Sequence, residues 1–133
     1  MDEVSSAVRR RNMAAIRSSN TKVERLVYVE LRRLKVYHRR HYRGVVGTPD
    51  IALPSKKIAV FIDGDFWHGF RFPQWKSRLT KYWKEKISRN RKRDTIMFRK
   101  LRRSGWKVTR VWDHQLKKDF KKMIEKILTA LRS

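Results

Sequence analysis

The chain has 133 residues, enough for one domain with its own core and too few for two. Its 36 Lys and Arg against 12 Asp and Glu give a formal charge of +24, which points to a polyanionic partner, nucleic acid before membrane lipid. It has no cysteine, so disulfides, thiolate metal sites and cysteine nucleophiles are excluded. No apolar run nears the roughly 18 residues of a membrane span, and no signal-peptide core opens the chain, so a soluble protein of the cytoplasm is expected.

Residues 1–20 are polar and basic, with Val8, Met13 and Ile16 as the sizeable apolar side chains. They read as a basic arm for nucleic acid, leaving residues 21–133 as the folded domain. Thr21-Lys22-Val23-Glu24 has the form of a capping box, which opens a helix carrying Val23, Leu26, Val27, Leu31 and Leu34 at helical spacing. Tyr37 to Tyr42 is expected as a strand, and Gly44 to Pro49 turns the chain. Ile51-Ala52-Leu53 is a short strand and Pro54-Ser55 a turn. Ile58 to Ile62 is apolar throughout, as in a strand buried on both faces. Residues 69–80 read as a loop. A long helix is predicted from Lys81 to Arg103, stopped by Ser104-Gly105. Trp106 to Trp112 is the last strand, and Phe120, Met123, Ile124, Ile127, Leu128 and Leu131 mark a final amphipathic helix. The order α-β-β-β-α-β-α predicts an α/β fold, a mixed sheet flanked by helices.

The chemistry concentrates where the central strand ends. Val60-Phe61-Ile62 runs into Asp63-Gly64-Asp65-Phe66-Trp67-His68, and Asp50 opens the preceding strand. Adjacent strands bringing Asp50, Asp63 and His68 together would hold a divalent metal and a base, and the charge would set them against a phosphodiester. On the long helix, at 100° per residue, Trp83, Ile87, Met97, Phe98 and Leu101 share a stripe of roughly 120° with Asn90 and Asp94 in its middle. Polar groups on a buried face carry a desolvation cost unless they meet partners. Each residue also has a plainer reading. Asp50 can open a turn, Asp63 cap a strand, Glu24 serve only its capping box, His68 sit satisfied in a core, and Asn90 and Asp94 make a helix-packing hydrogen bond. Phe66 and Trp67 can be core, or can stack on bases and wedge between them. His38, His41 and His114 read as surface or strand residues.

Taken together, Arg11-Asn12-Met13-Ala14-Ala15-Ile16-Arg17, Gly47-Thr48-Pro49-Asp50, Asp63-Gly64-Asp65-Phe66-Trp67-His68, Tyr82-Trp83-Lys84-Glu85-Lys86-Ile87, Asn90, Arg93-Asp94 and Gly105-Trp106 resemble the very-short-patch repair (Vsr) endonucleases. The resemblance implies a restriction-endonuclease-like fold and a Mg²⁺-dependent enzyme, bacterial or phage, associated with the nucleoid. It would act as a monomer, nicking double-stranded DNA beside a T:G mismatch. It makes Asp50 the principal metal ligand, with the main-chain carbonyl of Ile62, and His68 the general base. Asn90, Asp94 and Glu24 would support the metal shell or His68. Phe66, Trp67 and Trp83 would insert beside the mismatch, while Met13 and Ile16 close on the opposite groove.

Two departures from the family pattern bear on chemistry. Asp63 stands where the family usually has a second histidine, and as a carboxylate it is a candidate metal ligand itself. Asp65 and Phe70 stand at two positions of the family's Cys/His zinc site, so no structural zinc is expected. Two alternatives stay open: a Vsr-like site-specific, homing-type endonuclease cutting intact duplex, and a non-catalytic basic DNA-binding protein.

Overall fold

A computed structural model describes residues 22–66 and 68–133. The arm with Met13 and Ile16, the Thr21 half of the capping box, and Trp67 lie outside the described residues. Helix α1 spans Lys22–Arg33 and is followed by strands β1 (Arg39–Arg40), β2 (Ile51–Leu53) and β3 (Ile58–Asp63). A short helix α2 (Phe72–Trp75) and a 3-10 turn lead to the long α3 (Lys81–Arg103), then β4 (Lys107–Trp112), α4 (Asp113–Lys118) and α5 (Phe120–Arg132). Among the described residues the strands form one sheet in the order β1-β2-β3-β4, antiparallel except for the parallel β3–β4 pair.

Parallel pairing of β3 and β4 needs a crossover, and α3 supplies it. The sheet has apolar side chains on both faces, as the unbroken Ile58–Ile62 run predicts. Ile58, Val60 and Ile62 join Val111, Leu116, Ile124, Ile127 and Leu131 and the α1 residues Val27 and Leu31 in one core. Ala59 and Phe61 face the other way, onto Met97, Phe98 and Leu101 of α3 and onto Trp106. The alternation fixes where chemistry can sit. Asp63 continues the Ala59–Phe61 face, and Arg110, paired in register with Phe61, shares it. Both side chains therefore look toward α3.

The helix α3 has the predicted boundaries. Thr80 caps its start, and its end closes with Gly105 in a left-handed conformation while the Trp106 amide donates to Leu101. Elsewhere the structure corrects the sequence reading. The Tyr37–Tyr42 strand shrinks to two exposed edge residues because His41 turns left-handed, at φ 46°. Leu26 and Leu34 stay largely exposed: the buried stripe of α1 is Glu24, Val27, Tyr28 and Leu31, and Leu34 lies past the helix end. The loop at 69–80 contains α2 and a 3-10 turn, and α4 was not expected at all. No helix among the described residues is long and apolar enough to cross a membrane.

Gly47 holds the turn that delivers Asp50. Its φ is +87°, and a Cβ there would lie 1.7 Å from Met97 Sδ. Gly47→Ala combines a left-handed alanine with overpacking, and should cost about 1–3 kcal/mol. Equilibrium urea unfolding checks this; a variant as stable as the parent would show that the turn is not constrained as described.

Candidate active site

Antiparallel pairing of β2 with β3 sets Ile51 opposite Val60, so Asp50 arrives beside the end of β3. The Ile62 amide donates to Asp50 Oδ2 at 2.7 Å. Helix α1 crosses the same end and presents Glu24, whose side chain is only 1% exposed. Tyr28, one turn on, places its hydroxyl 2.7 Å from Glu24 Oε1 and 2.9 Å from the main-chain oxygen of Asp50. Its single proton thus ties α1 to the strand. His41 Nε2 lies 2.8 Å from Glu24 Oε1 and 4.0 Å from Asp50 Oδ1. One donor atom from each of Glu24, His41 and Asp50 lies within 4.8 Å of the others.

This pair of carboxylates cannot be doubly ionised at low energy without a cation. Burial, and then the Glu24 charge, push Asp50 up to about 9. Burial also pushes Glu24 upward, but hydrogen bonds from Tyr28 and His41 outweigh it and hold Glu24 below the ordinary carboxylate range. The two shifts run in opposite directions, so a proton at this pair is favoured on Asp50 and the charge on Glu24. The Asp50 carboxylate lines an open cavity with Glu24 buried behind it, and hard oxygens so grouped fit a divalent cation such as Mg²⁺.

A second network stands beside it, on the α3 face. His68 Nδ1 lies 2.7 Å from Asp94 Oδ2, and His68 Nε2 lies 3.4 Å from Asp63 Oδ1. Arg110 binds both carboxylates, with Nε 2.6 Å from Asp63 Oδ2 and a terminal nitrogen 3.0 Å from Asp94 Oδ2. Its guanidinium stacks over Trp112 at 4.1 Å and Phe98 at 4.9 Å. Burial raises the Asp63 pKa against the pull of His68 and Arg110. Both networks open into one cavity of about 620 Å³ whose walls include His41, Asp50, Asp63, His68 and Asp94.

The expected residues are thus gathered, with differences in detail. Glu24 turns its carboxylate inward to Tyr28 and His41 instead of serving only the helix start. Asp63, expected as a candidate ligand, lies against Arg110 and His68 and outside the three-residue donor group. Asn90 is half-buried one turn before Asp94, its Oδ1 accepting from Arg93 at 2.9 Å. Trp83, expected to face DNA, is 7% exposed and packs edge-on beneath Phe66, which also stacks on Trp75. The sequence reading missed Tyr28, His41 and Arg110. At the departed zinc positions, Asp65 Oδ1 lies 2.8 Å from His114 Nδ1, and the Phe70 ring packs against His114 and Trp112.

Asp50, backed by Glu24, and a bracketed His68 thus share one end of a mixed sheet and one cavity in a very basic chain, an arrangement suited to metal-assisted phosphodiester chemistry. Residues 1–74 match the family model described as DNA mismatch endonuclease Vsr. The type II nicking enzyme V.XorIIP of Xanthomonas oryzae is 41% identical over 118 residues, 86% of each chain. The type II nicking enzyme V.NmeDIP of Neisseria meningitidis is 32% identical over 99% of this chain and 91% of its own. DNA mismatch endonuclease Vsr of Escherichia coli is 30% identical over 84% of this chain and 72% of its own. The chain belongs to the Vsr family, and its helix-flanked mixed sheet is consistent with that family's restriction-endonuclease-like fold.

The proton on Asp50 makes a pH test possible. Its folded pKa lies above the ordinary range, so folding takes up a proton there; that contribution is full at low pH and is lost as pH rises toward 9. Mg²⁺ should therefore raise the thermal midpoint more at about pH 8.5 than at about pH 6. Asp50→Asn should flatten the difference. Equal Mg²⁺ shifts at both pH values in the parent protein would contradict a shared proton at this site.

Proposed function

We propose that this endonuclease uses Mg²⁺ to nick duplex DNA beside a T:G mismatch. The observation that carries the reading is the Glu24–Asp50 pair set beside a histidine bracketed by Asp63 and Asp94. Glu24 and Asp50, with the carbonyl of Ile62, would hold the ion. When bound, it supplies polarisation of the phosphoryl oxygen and a lowered pKa for the attacking water.

His68 does the proton work. Asp94 accepts from Nδ1–H, which fixes the tautomer and leaves the Nε2 lone pair facing the cavity. Asp63 Oδ1, an acceptor 3.4 Å away, has nothing to receive until Nε2 gains a proton from the attacking water. It then stabilises the imidazolium. Arg110 keeps Asp63 and Asp94 in place and neutralises one of their two charges. On this reading Asp63 orients His68 and does not ligate the metal. The many Lys and Arg fix register on phosphates without reading sequence.

Phe66 supports the mismatch reading. It is half-buried, stacked on Trp75 with centroids 5.8 Å apart and backed by the buried Trp83. A ring so braced can enter a base step without collapsing backward, and a mismatched step costs less to unstack. A second reading, site-specific nicking of intact duplex, draws support from relatives named as type II nicking enzymes.

Cleavage of matched and T:G duplexes, in Mg²⁺ and in EDTA, separates the readings. Nicking confined to the mismatch and abolished by EDTA is expected; cutting of matched DNA alone would favour the second reading, and no cutting would leave a binding protein. Asp50→Ala should abolish cleavage, by about 10³-fold or more, while DNA binding stays within a few-fold. Full activity of Asp50→Ala in Mg²⁺ would remove Asp50 from the site.

Phe66→Ala should slow nicking of the mismatched duplex at least about tenfold. Its stability cost should stay well below the roughly 3–5 kcal/mol of a fully buried aromatic. Cleavage rates read beside thermal midpoints decide, and a folded variant with parental activity excludes the wedge.

A further inference from the structure

A second cavity, of about 750 Å³, lies on the other side of His68 and Asp94 from the carboxylate pair. It runs between the segment from His68 to Lys76 and the outer flank of α3. Arg71, Lys76, Arg91 and Lys92 line it. Asp94 is its acidic wall residue, and that charge is already taken by His68 and Arg110. None of the four cations pairs with a carboxylate among the described residues. This is a cleft with unspent positive charge, contiguous with the catalytic cavity.

Two of the cations are held in place. Arg71 is a non-glycine residue in the left-handed region, at φ 54°, and its guanidinium lies 5.2 Å from the Phe70 ring centroid. Arg91 lies 5.5 Å from the Phe72 centroid. Its stem passes so close to the backbone that a Cβ on Gly69 would lie 2.7 Å from Arg91 Cδ. A left-handed arginine carries a conformational cost that points to a role outside the fold. Guanidinium groups braced on rings lose little freedom on binding, and their donor forks match phosphate oxygens.

We infer that this cleft seats the phosphodiester next to the scissile one on the cleaved strand, gripped by Arg71 and Arg91. The inference rests on the endonuclease reading for the strand's direction through the two cavities. The shared walls His68 and Asp94 set the register: a phosphate clamped in the cleft holds its neighbour against His68. The aromatic floor of Phe70, Phe72 and Trp112 suits the apolar edge of the intervening sugar.

The test has two arms. In EDTA, binding of a 30-base-pair duplex by the parent, by Arg71→Gln/Arg91→Gln, and by a control pair on α5, Lys121→Gln/Lys122→Gln, is followed against salt. Losing the one phosphate contact that the two arginines share should lower the slope of log K against log salt by about 0.9 for the cleft pair. The control should change less. A parental slope for the cleft pair, or an equal fall in both pairs, would overturn the cleft. The second arm places single neutral methylphosphonates around the nick mapped with the parent enzyme. One position beside the nick should cost the parent roughly tenfold in affinity, the effect of a hydrogen bond to a charged group, and cost the cleft pair nothing further. Identical methylphosphonate profiles in parent and variant would overturn the assignment. If the parent cuts no duplex, the endonuclease reading fails while the salt slope still decides the cleft.

Discussion

Everything at the working end of this molecule follows from holding Glu24 and Asp50 together out of water. Two such carboxylates repel, so the fold surrounds them with donors: the Tyr28 hydroxyl, the Ile62 amide and the His41 ring. Each donor fixes a different element. Tyr28 anchors α1 across the sheet end, Ile62 sets the register of β3 on β2, and His41 forces the edge strand to stop and turn. The remaining imbalance is met by a proton on Asp50 or by a cation. A site left one positive charge short is therefore open either to a proton or to a cation.

The neighbouring network solves a different problem with similar groups. Asp63 and Asp94 bring two negative charges and Arg110 one positive charge, so one negative charge is left over. A proton arriving at His68 neutralises it. On the reading proposed above, the carboxylate pair takes the divalent ion and the histidine network the transferable proton. Arg110 is what separates the two. Without it, Asp63 would be a third free carboxylate beside Asp50, and the cation would have competing seats. An aspartate is tolerable at position 63 because Arg110, in register with Phe61 on the same face, meets its charge.

Much of this was legible in the chain. The period of α3, its Ser104-Gly105 stop, the unbroken β3 run and the Asp50, Asp63 and His68 constellation rest on local pattern, and local pattern survived folding. What escaped was tertiary. His41 reaches Glu24 only because its backbone turns left-handed, and nothing in His38-Arg39-Arg40-His41 signals that. Arg110 was one cation among 36, distinguished solely by its strand register. For Trp83 the helical stripe it shares with Ile87 and Phe98 points inward while the family resemblance points to DNA, and the structure buries it. The short α2 and α4 offer one turn or so of helical period, too little to distinguish from loop.

The charge distribution ties the parts together. Six of the 12 Asp and Glu side chains, Glu24, Asp50, Asp63, Asp65, Asp94 and Asp113, gather at the end of β3, where burial, and then the charges of Asp65, Glu24 and Asp63, push the Asp113 carboxyl upward against Lys117. The rest of the molecule is dominated by Lys and Arg. A polyanion is therefore attracted everywhere except at the point of chemistry, where bare phosphate would be repelled by the acids beneath it. A divalent ion reverses that local sign. Local hold on the strand then depends on cations beside the acidic patch more than on total charge, since distant lysines hold any duplex equally well. Discrimination among duplexes must come from groups that touch bases. On the reading proposed above that group is Phe66, half-buried, braced on Trp75 and Trp83 and two residues before His68, so that stacking on a base and placement of the phosphate would be coupled through one short segment.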